Sequence, residues 1–309
     1  MLSLALAVAL ALQDPVGVPV QVASEVAPLH GTLLTPGETR AAAVIIAGSG
    51  PTDRDGNSPI GVSAGTYRLL AEGLAQRGVA TLRYDKRGVG MSMFALGSEE
   101  DLRFDDMVDD ALAFAALARE RTGRDCVWLI GHSEGALVAL AAVDRGGEGI
   151  CGLVLLSGAG RKARAVLEEQ LGPQLPEPLR TQAFKALATL EAGELAPDAP
   201  PQLAALFRPS LQPYLISWLR LDPAALAAAY RGPIFIGQGS TDFQTTVTDA
   251  EALKAAQPAA TLRVWEGVNH LLKVAPAERA ANVATYSNPD LPLAGGVVED
   301  VAAFILGPR

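Results

Sequence analysis

Apolar residues along this chain gather in short runs, separated by longer stretches in which they recur at helical spacing. Residues 41–47, 79–84, 127–131, 153–157, 234–237 and 261–265 read as strands covered on both faces, because a strand with one wet face alternates apolar with polar positions. Residues 67–77, 104–121 and 136–143 lie between them with the spacing of amphipathic helices. Strand alternating with helix predicts a doubly wound, mostly parallel α/β sheet with right-handed crossovers. Upstream, 18–22 and 30–34 read as an antiparallel hairpin leading into that sheet. Residues 297–306 read as a closing helix.

One stretch breaks the rhythm. From 161 to 231 there is no strand-like run, only amphipathic pieces interrupted by prolines such as Pro173, Pro178, Pro197 and Pro209. Proline ends helices, so several short ones are predicted. Inserted between the sixth and seventh strands, they would cover the carboxyl ends of the sheet as a helical cap or lid; a subdomain that only adds stability fits the same pattern. The expected organisation is a core of 13–160 and 232–309 with a cap at 161–231.

The first twelve residues form an apolar run with only Ser3 polar. It is too short to span a bilayer and has the length of the apolar region of a secretory signal. Ala9 and Ala11 offer a small-residue cleavage pattern, although no Lys or Arg precedes the run. Residues 1–12 are therefore expected to be a signal peptide and the protein to be exported; a cytoplasmic protein with an apolar start is the alternative. The chain's 309 residues are 49% hydrophobic and 19% charged, with a net charge of −9. That sign repels phosphate backbones and anionic lipid surfaces, so neither nucleic acid nor a stable membrane span is expected. Cys126 and Cys151 open neighbouring strands. Parallel neighbours rarely present disulfide geometry, so both are expected to be reduced core thiols, a bond being conceivable only in an oxidising compartment. No Cys or His pair stands at metal-ligand spacing.

The chemistry concentrates at Gly131-His132-Ser133-Glu134-Gly135, which follows the apolar run 127–130 and precedes a helical run. This is G-x-S-x-G between a strand and a helix, a turn that exposes the serine hydroxyl while its glycines let helix and strand close up. A serine hydroxyl needs a base to take its proton, and the chain has three histidines. His132 adjoins the nucleophile and would point away from it to pack. His30 lies far upstream in the hairpin. His270 follows the last strand on a loop at the carboxyl edge, where a general base can reach Ser133. The acid that orients the imidazole belongs after the sixth or seventh strand. The sixth ends without an acid and the seventh ends in Gly237-Gln238-Gly239-Ser240-Thr241-Asp242. Ser133, Asp242, His270 is the chain order of nucleophile, acid and base in this kind of sheet. Glu266 is a weaker competitor, and Asp249 belongs to the next helix. The oxyanion hole needs two N–H donors: Glu134, the residue after the nucleophile, and Ser49 (with Gly50 next) in the loop Gly48-Ser49-Gly50-Pro51.

Three segments carry a resemblance: 48–57, beginning Gly48-Ser49-Gly50-Pro51-Thr52-Asp53-Arg54-Asp55; 83–92, Arg83-Tyr84-Asp85-Lys86-Arg87-Gly88-Val89-Gly90-Met91-Ser92; and the Ser133 pentapeptide. Together they resemble a bacterial short-chain esterase branch of the α/β-hydrolases, similar to serine-aminopeptidase-like and monoglyceride-lipase-like hydrolases. With Gly239, Asp242 and Asn269-His270 the resemblance covers the chain from about His30 onward. It implies a carboxylesterase acting on short acyl chains, a helical cap and no cofactor. Residues 85–92 would be a structural turn beneath the active site. Asp53, Arg54 and Asp55 would either brace the oxyanion loop or form a solvated turn. Aminopeptidase and thioesterase activity share the same triad; the former would need an acidic patch for an amine, which Glu134, Glu168, Glu169, Glu191 and Glu194 offer. A non-catalytic binder on the same fold is the alternative of another class.

Overall fold

The computed structural model describes residues 16–307; the segment read as a signal peptide lies outside them. Eight strands form one sheet: β1 (Gly17–Val22), β2 (Leu29–Leu34), β3 (Ala41–Ile46), β4 (Val79–Tyr84), β5 (Val127–His132), β6 (Ile150–Leu156), β7 (Ile234–Gly239) and β8 (Thr261–Trp265). Their spatial order is β1-β2-β4-β3-β5-β6-β7-β8. β1 and β2 are antiparallel, β2 pairs antiparallel with β4, and all later pairs are parallel. The hairpin and all six parallel runs read from the sequence are present.

The apolar runs have a simple physical origin. Successive side chains leave a strand on opposite faces, and both faces of β3 to β7 are covered. β8, expected to be covered as well, is instead an edge strand with only Trp265 buried, because no strand pairs beyond it. Along β3, Ala42, Val44 and Ile46 enter one core; Ala41, Ala43 and Ile45 enter the other. Helices α2 (Phe104–Thr122), α3 (Glu134–Asp144) and α9 (Val247–Ala256) pack on the first face, α1 (Thr66–Ala75) and α11 (Val297–Leu306) on the second. Their ends carry the expected signals. Thr246 and Asp249 form a capping box at α9, with Thr246 N–H on Asp249 Oδ2 at 3.1 Å, and α2 stops at Gly123, φ 64°.

Between β6 and β7 lie α4 (Ala163–Leu171), α5 (Leu179–Glu191), α6 (Ala204–Phe207), α7 (Gln212–Leu219) and α8 (Pro223–Ala229). α10 (Arg279–Ala284) follows β8. The helices between β6 and β7 do not stand apart from the sheet. Leu187, Leu190, Tyr214, Leu215, Leu219 and Ala227 belong to the same buried cluster as Val44 and Leu82. Ser217 Oγ also accepts the Phe104 N–H at 2.8 Å, joining α7 to the start of α2.

The expectation of two reduced thiols is corrected. Cys126 and Cys151 form a disulfide, with a Cα–Cα distance of 5.2 Å. The argument from regular parallel pairing failed because the pairing is irregular at that point. Val127 faces Ile150, but Trp128 faces Gly152, so Cys151 is the extra residue of a bulge. A bulge re-aims its side chain, here toward the residue just ahead of β5. Strand β6 accordingly begins at Ile150, earlier than its apolar run suggests.

Candidate active site

The five-residue elbow has the backbone its sequence implies. Ser133 adopts φ 54° and ψ −121°, a conformation a serine enters only when its surroundings enforce it. The neighbouring glycines are required by contact. A Cβ on Gly131 would lie 2.2 Å from the Gly135 carbonyl oxygen, and one on Gly135 would lie 2.3 Å from that of Ile46. The Ser133 N–H donates to Leu156 O at 2.9 Å, fixing the turn to β6.

His270 and Asp242 arrive from two loops at the same sheet edge. His270 Nδ1 lies 2.8 Å from Asp242 Oδ2, with both side chains buried. Asp242 is surrounded by donors: the amides of Gln244 and Thr245 reach Oδ1 at 2.8 and 3.2 Å, and Gln238 Nε2 and the Thr245 hydroxyl reach Oδ2 at 3.1 Å each. Burial by itself would push this carboxyl up. His270 and the donors overcome it and hold the group below the usual carboxylate range. Asp242 thus stays an anion whose Oδ2 also faces the ring. The His270 loop is pinned by Asn269, whose Oδ1 accepts the Leu271 and Lys273 amides at 3.1 Å each and whose Nδ2 donates to Thr285 Oγ1 at 2.8 Å. Glu266 is exposed and Asp249 is engaged with Arg161 and Gly160, so neither competes for the imidazole.

Ser133 and His270 line one cavity of about 300 Å³ with Ser49, Gly50, Gln244 and Tyr286. Among the described residues their side chains are not hydrogen-bonded to each other; such contacts commonly tighten only when substrate fills the site. A second cavity of about 90 Å³, also lined by Ser133, lies between Leu137 of α3, Val166 and Leu167 of α4, and Trp218 of α7. Ser49 and Glu134 line it too. Among the described residues neither of their amides is engaged in a backbone hydrogen bond.

His132 does more than pack. Gly48 N–H donates to the Tyr67 hydroxyl at 2.9 Å, that hydroxyl lies 2.9 Å from His132 Nδ1, and His132 Nε2 lies 2.7 Å from the His270 carbonyl. Only one proton assignment satisfies this chain: Tyr67 O–H donates to Nδ1, and the Nε2–H donates to His270 O. His132 must then be neutral. Burial, helped by the nearby His270, brings it down to about 3. The relay ties the Gly48 loop to the loop carrying the candidate base.

The charged turn after Gly50 is a brace. Asp53 Oδ1 accepts the Asp55 and Asn57 amides at 2.9 Å each. Arg54 grips Asp85 at 2.6 Å, and Asp55 pairs with Arg83 at 3.3 Å. Asp85 in turn accepts the amides of Arg54 and Met91 at 2.8 and 2.9 Å, which locks 85–92 beneath the Gly48 loop. Sequence reasoning missed Tyr67, Lys86 and Tyr214. Lys86 carried a signal, a cation two residues past a strand at the carboxyl edge; it is buried and its Nζ donates to the Gly48 carbonyl. Among the described residues, no His/Cys/Asp/Glu group could hold a metal ion, and no helix is long and apolar enough to cross a membrane.

A mostly parallel sheet, a serine elbow at the tip of its fifth strand and a histidine–aspartate pair beside it define an α/β-hydrolase. The sequence profile of one family in that class, described as serine aminopeptidase, S33, matches residues 60–261, and the chain belongs to that family. It is 28% identical over 236 residues to the esterase EstD of Thermotoga maritima, a match covering 75% of this chain and 54% of EstD. The chain thus spans about half the length of that relative. In fold it is similar to Est1E of Butyrivibrio proteoclasticus, solved with ferulic acid (TM-score 0.56, 19% identity, 90% of this chain and 93% of the other). It is likewise similar to a lipase-esterase related protein from Clostridium acetobutylicum (TM-score 0.54, 16% identity, 90% and 99%).

Proposed function

We propose that this protein is a serine carboxylesterase that hydrolyses small esters of short acyl chains. Ser133 is the nucleophile, His270 the general base and then general acid, and Asp242 the group that fixes the imidazole tautomer. The observation that carries the reading is the convergence of the strained Ser133 turn and the Asp242–His270 pair on one cavity. In acylation His270 Nε2 takes the hydroxyl proton as Ser133 Oγ attacks the carbonyl carbon, and returns it to the departing alkoxide. In deacylation it takes a proton from water and returns it to Ser133. The oxyanion formed in each step is received by the Ser49 and Glu134 N–H groups.

The two cavities suit the two halves of an ester. The smaller, about 90 Å³ and bordered by Leu137, Val166, Leu167 and Trp218, accommodates a short acyl group; the larger, about 300 Å³, receives the alcohol. The helices of 161–231 act as a cap over the acyl side. Similarity to EstD supports ester rather than amide substrates. An aminopeptidase needs unneutralised acids near the nucleophile, but Arg164 pairs with Glu168 and Glu191 at 2.7 and 3.0 Å, and Arg161 pairs with Glu169 at 2.6 Å. The Cys126–Cys151 disulfide and the apolar start of the chain support an exported protein.

The test is a series of p-nitrophenyl esters from acetate to octanoate, run beside an aminoacyl-arylamide. Highest kcat/KM on acetate or butyrate, with the arylamide at least a hundredfold slower, is expected. Faster turnover of the arylamide would replace this reading with the peptidase one.

A further inference from the structure

We infer that Lys86 is the positioning residue of the oxyanion hole, holding the Gly48–Ser49 peptide so that the Ser49 N–H faces the hydroxyl of Ser133. The inference rests on the esterase reading above. In a trans peptide the carbonyl and the following N–H point in opposite directions. Whatever grips the Gly48 oxygen therefore aims the Ser49 N–H. Lys86, two residues past the end of β4 and buried, is the group that grips it. On the other side of Gly48, its own N–H is held by the Tyr67 hydroxyl at 2.9 Å. Both faces of the residue ahead of the donor are thus fixed, and a Cβ on Gly48 would come within 3.0 Å of the Ser133 Cβ.

Without the Lys86 contact this peptide would be free to turn over. Gly48 and Gly50 present no side chain to resist the turn, and the flipped form would direct a carbonyl oxygen at the site where negative charge develops. That arrangement repels the tetrahedral intermediate instead of binding it. The lysine also places its donor group against the peptide dipole, which strengthens the N–H at the far end.

The charge needs a partner, and Glu134 supplies it. Glu134 and Lys86 each oppose the effect of burial on the other. The Glu134 carboxylate also interacts with the Tyr214 hydroxyl of α7. Glu134 is the residue whose backbone N–H is the second donor. One group of three side chains therefore supports both halves of the hole: Lys86 through the Gly48 carbonyl, Glu134 through its own backbone, and Tyr214 as the tie to the overlying helices.

The experiment compares the wild-type protein, Lys86→Met, and the double variant Lys86→Met/Glu134→Gln, which keeps the Glu134 N–H and leaves no carboxylate there without its cation. Each is assayed with p-nitrophenyl butyrate and with an alkyl trifluoromethyl ketone, whose serine adduct carries the oxyanion. Both variants should lose about 100-fold in kcat, the cost of an oxyanion donor, with KM within twofold. Ketone affinity should fall by a similar factor, and slow fluorophosphonate labelling of Ser133 should persist. Recovery of wild-type kcat and ketone affinity in the double variant would overturn the inference, since Lys86 would then serve only to neutralise Glu134. A wild-type protein that neither turns over esters nor labels at Ser133 would instead overturn the esterase reading, and the inference with it.

Discussion

Ser133 at φ 54° and His132 beside it show how one turn assigns two neighbouring residues different tasks. The serine faces a cavity, while the histidine is locked as a neutral strut between Tyr67 and the His270 carbonyl. Neutrality has a consequence for stability. His132 is held down to about 3, whereas an unfolded chain returns a histidine to about 6.5. Between those values the unfolded state binds a proton that the folded state refuses, so His132 costs stability progressively as pH falls from about 6.5 toward 3. The slope from this group approaches about 1.4 kcal/mol per pH unit. Urea midpoints for wild type and His132→Gln at pH 7, 5.5 and 4.5 check it. The variant should be weaker at pH 7 but lose less on acidification, and equal losses would contradict the proton assignment of the relay.

At the scale of elements, much was legible because the physics was local. Strands buried on both faces are mostly apolar, and all six runs read this way are strands of the sheet, although the last, β8, is an exposed edge strand. The Ser133 elbow could be read because its G-x-S-x-G pattern sits between a strand and a helix, and Asp242 could be chosen because the end of β6 holds no acid. What could not be read depends on neighbours distant in sequence. Nothing near Lys86 reveals that its amine meets Gly48, 38 residues away, and nothing in Cys151 announces the bulge that turns it toward Cys126. The helices between β6 and β7 were legible as helices, but which of their side chains approach Ser133 was not. Trp218 of α7 is one of those that do. Trp218→Ala should enlarge the smaller cavity and raise the octanoate-to-butyrate ratio of kcat/KM by about tenfold, the effect of burying about two more CH₂ groups at about 0.8 kcal/mol each. An unchanged ratio would show that the acyl chain leaves by another route.

Across the whole molecule, chemistry and covalent stabilisation sit at opposite ends of one strand. Cys126 immediately precedes β5 and Ser133 immediately follows it. The disulfide closes a sequence separation of 25 residues, for which restriction of the unfolded chain is worth about 3 kcal/mol. Replacing both cysteines by serine should lower unfolding free energy by roughly that amount and leave kcat at 25 °C within twofold. A large loss of activity without loss of stability would mean that the far end of the strand reaches the site. The central claim, that one serine becomes acylated, is tested most directly by mass spectrometry of the protein after exposure to a fluorophosphonate. A single adduct per chain, mapped to the peptide containing Ser133 and absent from Ser133→Ala, is predicted. Undiminished ester hydrolysis with that serine unlabelled, or with the adduct on another residue, would contradict it.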